Sequence, residues 1–87
     1  MSARAAIQPS ALTLEDESAH RLLSARFQLT EREVEVLRWV ACGKTNRDIG
    51  DILGLSPRTV NKHLEHVYVK LGVETRTAAT SVALAAI

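Results

Sequence analysis

TNRDIGDILGLSPRTVNKHLEHVYVKL, residues 45–71, holds two short amphipathic segments that meet across Gly54-Leu55-Ser56-Pro57. A glycine stop followed by a Ser-Pro start is the punctuation of two helices joined by a tight turn. Thr45 is placed to cap the first helix, with Asp48 three positions on. A carboxylate there answers free backbone N–H groups and the positive end of the helix dipole. Ile49, Ile52 and Leu53 are expected to form the buried stripe of this helix. Gly50 in mid-helix costs about 1 kcal/mol relative to alanine, which implies a close backbone approach, with the following helix as the expected neighbour. Gly54 stands where helices end in the left-handed conformation, Ser56 is a favoured N-cap, and Pro57 suits the first helical position because its absent N–H needs no partner. Val60, Leu64, Val67 and Leu71 then recur at spacings of four, three and four. They form one apolar face of a helix about four turns long. The unit reads as a helix-turn-helix.

The opposite side of the second helix carries Arg58, Asn61, Lys62 and Glu65 within its first half, with His66 and Val69 further along. Arginine, lysine and asparagine donate to guanine or adenine edges in the major groove of DNA, and glutamate accepts from cytosine N4. A polar helix face is ordinarily just solvated. Behind a helix-turn-helix joint, this combination of donors and acceptor points instead to base reading.

Upstream, Leu29-Thr30-Glu31-Arg32-Glu33-Val34 is a dense helix start: Thr30 and Glu33 suit a capping box, and Leu29 and Val34 a hydrophobic staple around it. Val34, Leu37, Val40 and Ala41 supply a core-facing stripe, and Gly43 ends that helix. Downstream, Gly72 closes the base-reading helix and Thr75 caps a last segment running to Ile87. The expected fold is all-α, a four-helix module over residues 29–87 with the helix-turn-helix at its centre. Residues 1–28 read as a linker or N-terminal extension, from Gln8-Pro9-Ser10 and the cluster Glu15-Asp16-Glu17 to a helix through His20, Leu22, Leu23 and Phe27. That stretch is too short for a sensor domain, which needs on the order of 100 residues. A stand-alone regulator and the output half of a larger one both stay open.

Four blocks together resemble the LuxR-type, or GerE-type, DNA-binding domain of bacterial transcription regulators. They are Leu-Thr-Glu-Arg-Glu-Val-Glu-Val-Leu at 29–37, Gly-Lys-Thr-Asn-Arg-Asp-Ile at 43–49, Leu-Gly-Leu-Ser-Pro-Arg-Thr-Val-Asn-Lys-His at 53–63 and Lys-Leu-Gly-Val-Glu-Thr-Arg at 70–76. Several blocks at fixed spacing are far more specific than a single motif. The resemblance implies a dimeric four-helix module with its third helix in the major groove and its fourth at the dimer contact. It places base reading on Asn61, Lys62 and Glu65, beside Arg58 from the residue reading, and DNA-backbone contact on Lys44, Thr45, Asn46, Thr59, Lys70 and Arg76. The chain departs from the family pattern at Asn61, where lysine is frequent, and at Glu65, where a basic or neutral polar residue is frequent. The operator sequence therefore does not carry over.

The last segment, Thr77 to Ile87, has no charged residue and many small ones. So apolar a helix has more surface than one internal face can cover, and Ala78, Ser81, Val82 and Ala85 are expected at a symmetric interface. A net charge of +1 is low for a nucleic-acid binder, and between Gly43 and Arg76 the six basic residues exceed the four acidic ones by two. Affinity is thus expected to depend on dimerisation. His63 and His66 stand three apart, but a zinc site needs more ligands than that pair, and no metal or cofactor is expected. Cys42 has no second cysteine in the chain and reads as a small buried residue. The apolar run at 78–87 is too short to cross a bilayer and no secretion signal precedes the module, which argues for the cytoplasm. No nucleophile with a partner base and no phosphate-cradling loop suggests an enzyme. The expected partners are double-stranded DNA, a second copy of the chain, and RNA polymerase. Two rival readings are a sigma-factor promoter-recognition region, against which the Lys-Leu-Gly-Val-Glu-Thr-Arg block argues, and a helical adaptor that binds protein alone.

Overall fold

Four hydroxyl caps set where the chain turns into helix. Thr30 Oγ accepts from the Glu33 N–H at 3.2 Å while Glu33 Oε1 accepts from the Thr30 N–H at 2.9 Å. Thr45 and Asp48 close the same reciprocal box at 3.1 and 3.3 Å. Ser56 Oγ accepts from the Thr59 N–H at 3.1 Å, with Pro57 at the first helical position, and Thr75 Oγ accepts from the Ala78 N–H at 3.0 Å. Each satisfies N–H groups that a helix start otherwise leaves bare. The computed structural model describes residues 17–86. Within them it holds five helices and no strand: α1 (Glu17–Phe27), α2 (Glu31–Ala41), α3 (Asn46–Leu53), α4 (Pro57–Leu71) and α5 (Arg76–Ala86). Gln8-Pro9-Ser10, Glu15, Asp16 and Ile87 lie outside the described residues.

The turn between α3 and α4 is built as its residues require. Gly54 adopts a left-handed φ of 74°, and the Leu55 N–H reaches back to the Gly50 carbonyl at 2.8 Å, which satisfies a carbonyl at the helix end. Gly50 itself is buried, and a Cβ placed there would stand 2.4 Å from the Leu55 carbonyl oxygen. The close backbone approach is therefore real, but its partner is the turn's carbonyl and not, as expected, the body of the following helix.

Two apolar clusters share α2 and α4. Leu23, Leu29, Val34, Leu37, Val67, Ala79 and Ala83 join α1, α2, α4 and α5. Val36, Val40, Ile49, Val60 and Leu64 join α2, α3 and α4. Leu29 and Val34, the expected staple, meet in the first cluster. Helix α2 thus lies between two cores, which explains why Val36, outside the expected stripe, is fully buried; Ala41, the last residue of α2, packs on the first cluster and is only half-buried. Ile52 corrects another expectation: it is 45% exposed, because the eight-residue α3 buries Ile49 and Gly50 and turns Ile52 outward.

Helix α1 is an integral fifth layer of the module. Ala19 and Leu23 are buried, Phe27 packs on the first cluster, and Leu22 faces out at 51% exposure. Its polar side is tied to α2, with Arg38 Nη1 2.9 Å from His20 Nδ1 and His20 Nε2 3.0 Å from Glu31 Oε2.

Gly50→Ala tests the turn. Alanine is the better helix former by about 1 kcal/mol, yet its methyl would push on backbone that cannot swing aside. Urea unfolding is expected to show a net loss of about 1–3 kcal/mol; unchanged or raised stability would mean the turn yields freely.

Candidate nucleic-acid interface

Burial fixes the rotation of α4 about its axis. Val60, Leu64 and Val67 are each no more than 1% exposed, sealed against α2 and its neighbours. Arg58, Asn61, Lys62 and Glu65 are in consequence all exposed, and together they line one shallow depression on the outer face. The structure brings this predicted set together. Asn61 Nδ2 donates to Glu65 Oε2 at 3.1 Å across one helical turn, and neither Arg58 nor Lys62 has an ion-pair partner among the described residues. Val69, further along α4, is 80% exposed.

The residues expected at the DNA backbone fall into three places. Lys44 and Thr45 are exposed and Asn46 half-buried where α3 begins. Thr59 is exposed in the first turn of α4, its hydroxyl accepting from Ser56 Oγ at 3.0 Å. Helix starts of this kind present N–H groups and a favourable dipole to anions. Arg76 joins the first group from across the fold: Nη1 donates to Asn46 Oδ1 at 2.7 Å and Nη2 to the Lys44 carbonyl. Lys70 stands apart, near the other end of α4, where its Nζ lies 2.7 Å from Glu33 Oε1 and 3.1 Å from the Gln28 carbonyl. Lys70 and Arg76 are thus engaged inside the module. Both contacts span more than 29 residues of sequence, so no local pattern could have revealed them.

Glu33 is one of two buried charged residues among those described, with Arg38, and its side chain is 6% exposed. Burial pushes its carboxyl up, but the hydrogen bonds from Lys70 and the Thr30 backbone, with the charges of Lys70 and His66, outweigh that and hold it below the usual carboxylate range. His66 Nδ1 lies 3.8 Å from its second oxygen. Glu33 is thereby in contact with α4. Asp48 is likewise lowered, chiefly by hydrogen bonding from the Thr45 backbone and then its side chain.

On α5, Ala79 and Ala83 are buried, which turns Ser81, Leu84 and Ala85 outward and leaves Ala78 and Val82 half-buried at the margin. Leu84, 49% exposed, adds to the residues that the sequence singled out. Cys42 is half-buried and not fully buried as expected. Among the described residues no cluster of three or more His, Cys, Asp or Glu side chains could hold a metal ion, and no helix is long and apolar enough to cross a membrane.

A tight two-helix joint, a rotationally fixed second helix and an outward row of donors and an acceptor define a helix-turn-helix DNA-binding module. The family model for bacterial regulatory proteins of the luxR family (GerE) matches residues 27–83. The chain belongs to this family of DNA-binding transcription regulators. It is 41% identical over 69 residues to the transcriptional activator protein PhzR of Pseudomonas fluorescens, covering 79% of this chain and 28% of that one. It is 45% identical over 56 residues to the quorum sensing-dependent transcriptional regulator VjbR of Brucella ovis, covering 64% and 22%. To the transcriptional activator protein AnoR of Acinetobacter nosocomialis it is 49% identical over 51 residues, covering 59% and 21%. The chain thus spans less than a third of the length of these relatives. No solved structure matches it.

The lowered Glu33 carboxyl gives a pH signature. A group whose folded-state pKa is depressed contributes stability above its unfolded value and loses it as pH falls through the folded value. Glu33→Gln is expected to cost about 1–3 kcal/mol at neutral pH. The gap from wild type should close on acidification below the usual carboxylate range, read by denaturant unfolding across pH. A gap that stays constant to low pH would exclude the ion pair as its source.

Proposed function

We propose that the chain binds double-stranded DNA in a sequence-specific manner, as a homodimer, with α4 in the major groove. Arg58, Asn61, Lys62 and Glu65 face base edges, while Lys44, Thr45, Asn46 and Thr59 meet phosphates at the starts of α3 and α4. The outer face of α5, with Ala78, Ser81, Val82, Leu84 and Ala85, forms the contact between copies. The observation that carries this reading is the single exposed row on α4, whose direction is set by three buried residues behind it and whose two cations have no ion-pair partner among the described residues. Lys70 and Arg76 serve first as internal tethers. An ammonium has three N–H groups and a guanidinium five, so donors remain for phosphate once the tethers are made. Regulation takes place in the cytoplasm, with RNA polymerase as the machinery that bound protein assists or blocks.

Selection from a random duplex pool at near-physiological salt tests the reading. Wild type is expected to enrich an inverted repeat. Lys62→Ala should cost about 1–3 kcal/mol and relax one position, whereas Lys44→Ala should weaken all sequences alike and reduce the salt slope by about one. Uniform loss in both variants would contradict the division into readers and anchors. Binding to polymerase core without a palindrome would favour a sigma-factor role, and silence of Lys62→Ala a protein adaptor.

Ser81→Glu places a charge on the outer face of α5. The variant is expected to keep its helical circular dichroism while losing dimer and operator affinity together. An unchanged dimer by sedimentation would remove this face from the interface.

A further inference from the structure

We infer that Glu65 selects cytosine in the operator and that Asn61 is the positioning residue that aims it. The inference rests on the DNA-reading face proposed above and assigns different parts to two of its members. Glu65 and Lys62 are one turn apart, a spacing at which ion pairs commonly form on helices. The carboxylate is instead held by the Asn61 amide at 3.1 Å, and among the described residues no cation pairs with it. Glu65 therefore has no cation beside it on the exposed face, with Oε2 engaged by Asn61 and Oε1 free to accept.

A bare carboxylate brought against DNA is repelled by phosphate, so this placement is favourable only where the duplex offers it a donor. In the major groove those donors are cytosine N4 and adenine N6; guanine and thymine present acceptors at the same edge. On the side away from the paired base, adenine sets the N7 lone pair beside its amino group, so the second carboxylate oxygen meets repulsion there, while cytosine places a C–H group beside N4; the acceptor of the paired base flanks both alike. Glu65 thus acts mainly by exclusion, a mode of discrimination in which a wrong partner leaves a desolvated charge unpaired.

The amide of Asn61 is turned along the helix toward its own chain. By restricting the rotamers of a long side chain before contact, it lowers the ordering cost at binding.

The test is duplex-pool selection with the 87-residue chain as wild type, Glu65→Gln and Asn61→Ala, each verified as folded by circular dichroism. Wild type is expected to prefer cytosine over guanine or thymine at one position by about ten- to a hundredfold. Glu65→Gln should abolish that exclusion and admit adenine. Asn61→Ala should soften the same position several-fold and leave the position read by Lys62 unchanged, a pattern that a merely structural role would not produce. Retained cytosine preference in Glu65→Gln would overturn the inference while leaving DNA reading intact. A changed position other than that of Glu65 in Asn61→Ala would make Asn61 a reader in its own right. Absence of any enriched motif with wild type would remove the underlying reading and the inference together.

Discussion

The Leu55 carbonyl oxygen occupies the space that a side chain at Gly50 would need. With the Leu55 N–H bonded to the Gly50 carbonyl, the turn folds onto the last part of α3, and α4 can leave only in the direction set by Ser56 and Pro57. The angle between the two helices is thus a backbone property, fixed before any long side chain packs. Ile49, Val60 and Leu64 then share one cluster and lock the pair against α2. Which side chains α4 presents depends on this geometry, since a rotation of one residue about the helix axis, about 100°, would bury Asn61 and expose Val60.

Two polar tethers hold the rest to that pair. Glu33 caps α2 at one oxygen and binds Lys70 through the same atom, so the start of α2 is joined to the far end of α4. Arg76 joins the start of α5 to the start of α3 through Asn46 and the Lys44 carbonyl. A buried ion pair is weak evidence for stability by itself, because desolvation offsets much of the attraction. Here its clearer consequence is positional: α4 is held by the turn at one end and by Glu33 at the other, and a helix so held has little further freedom to lose on binding.

The helix-turn-helix was legible because its signals are local. Caps three residues apart, glycine stops and a 3–4 apolar spacing all act within one or two turns, and the structure places them as read. Ile52 and Val36 were misjudged for one reason: periodicity gives the apolar side of a helix but not how many neighbours it has. The two-turn α3 had fewer than expected, and α2, set between two clusters, had more. The roles of Lys70 and Arg76 were hidden differently. Their protein partners lie more than 29 residues away, and a basic residue near a helix end looks the same whether it meets phosphate or a glutamate. Helix α1 is visible as a pattern through Leu23 and Phe27, yet its place in the core depends on Ala79 and Ala83, whose four-residue spacing does not stand out among the equally small, apolar neighbours on α5.

The charge balance completes the physical picture. With a net charge of +1, the chain gains little from long-range attraction to a polyanion. Protein that is near neutral also dwells less on random duplex, because counterion release supplies most non-specific affinity. What remains must come from short-range fit: a preset helix angle, a fixed rotation, a tethered far end and, in the proposed dimer, a second copy that would double the contacts at a defined spacing. Under the proposed reading, a glutamate on the exposed face of α4 belongs to the same logic. It would give up general attraction to phosphate in return for rejecting bases, a trade that helps only a protein whose binding is already organised by shape.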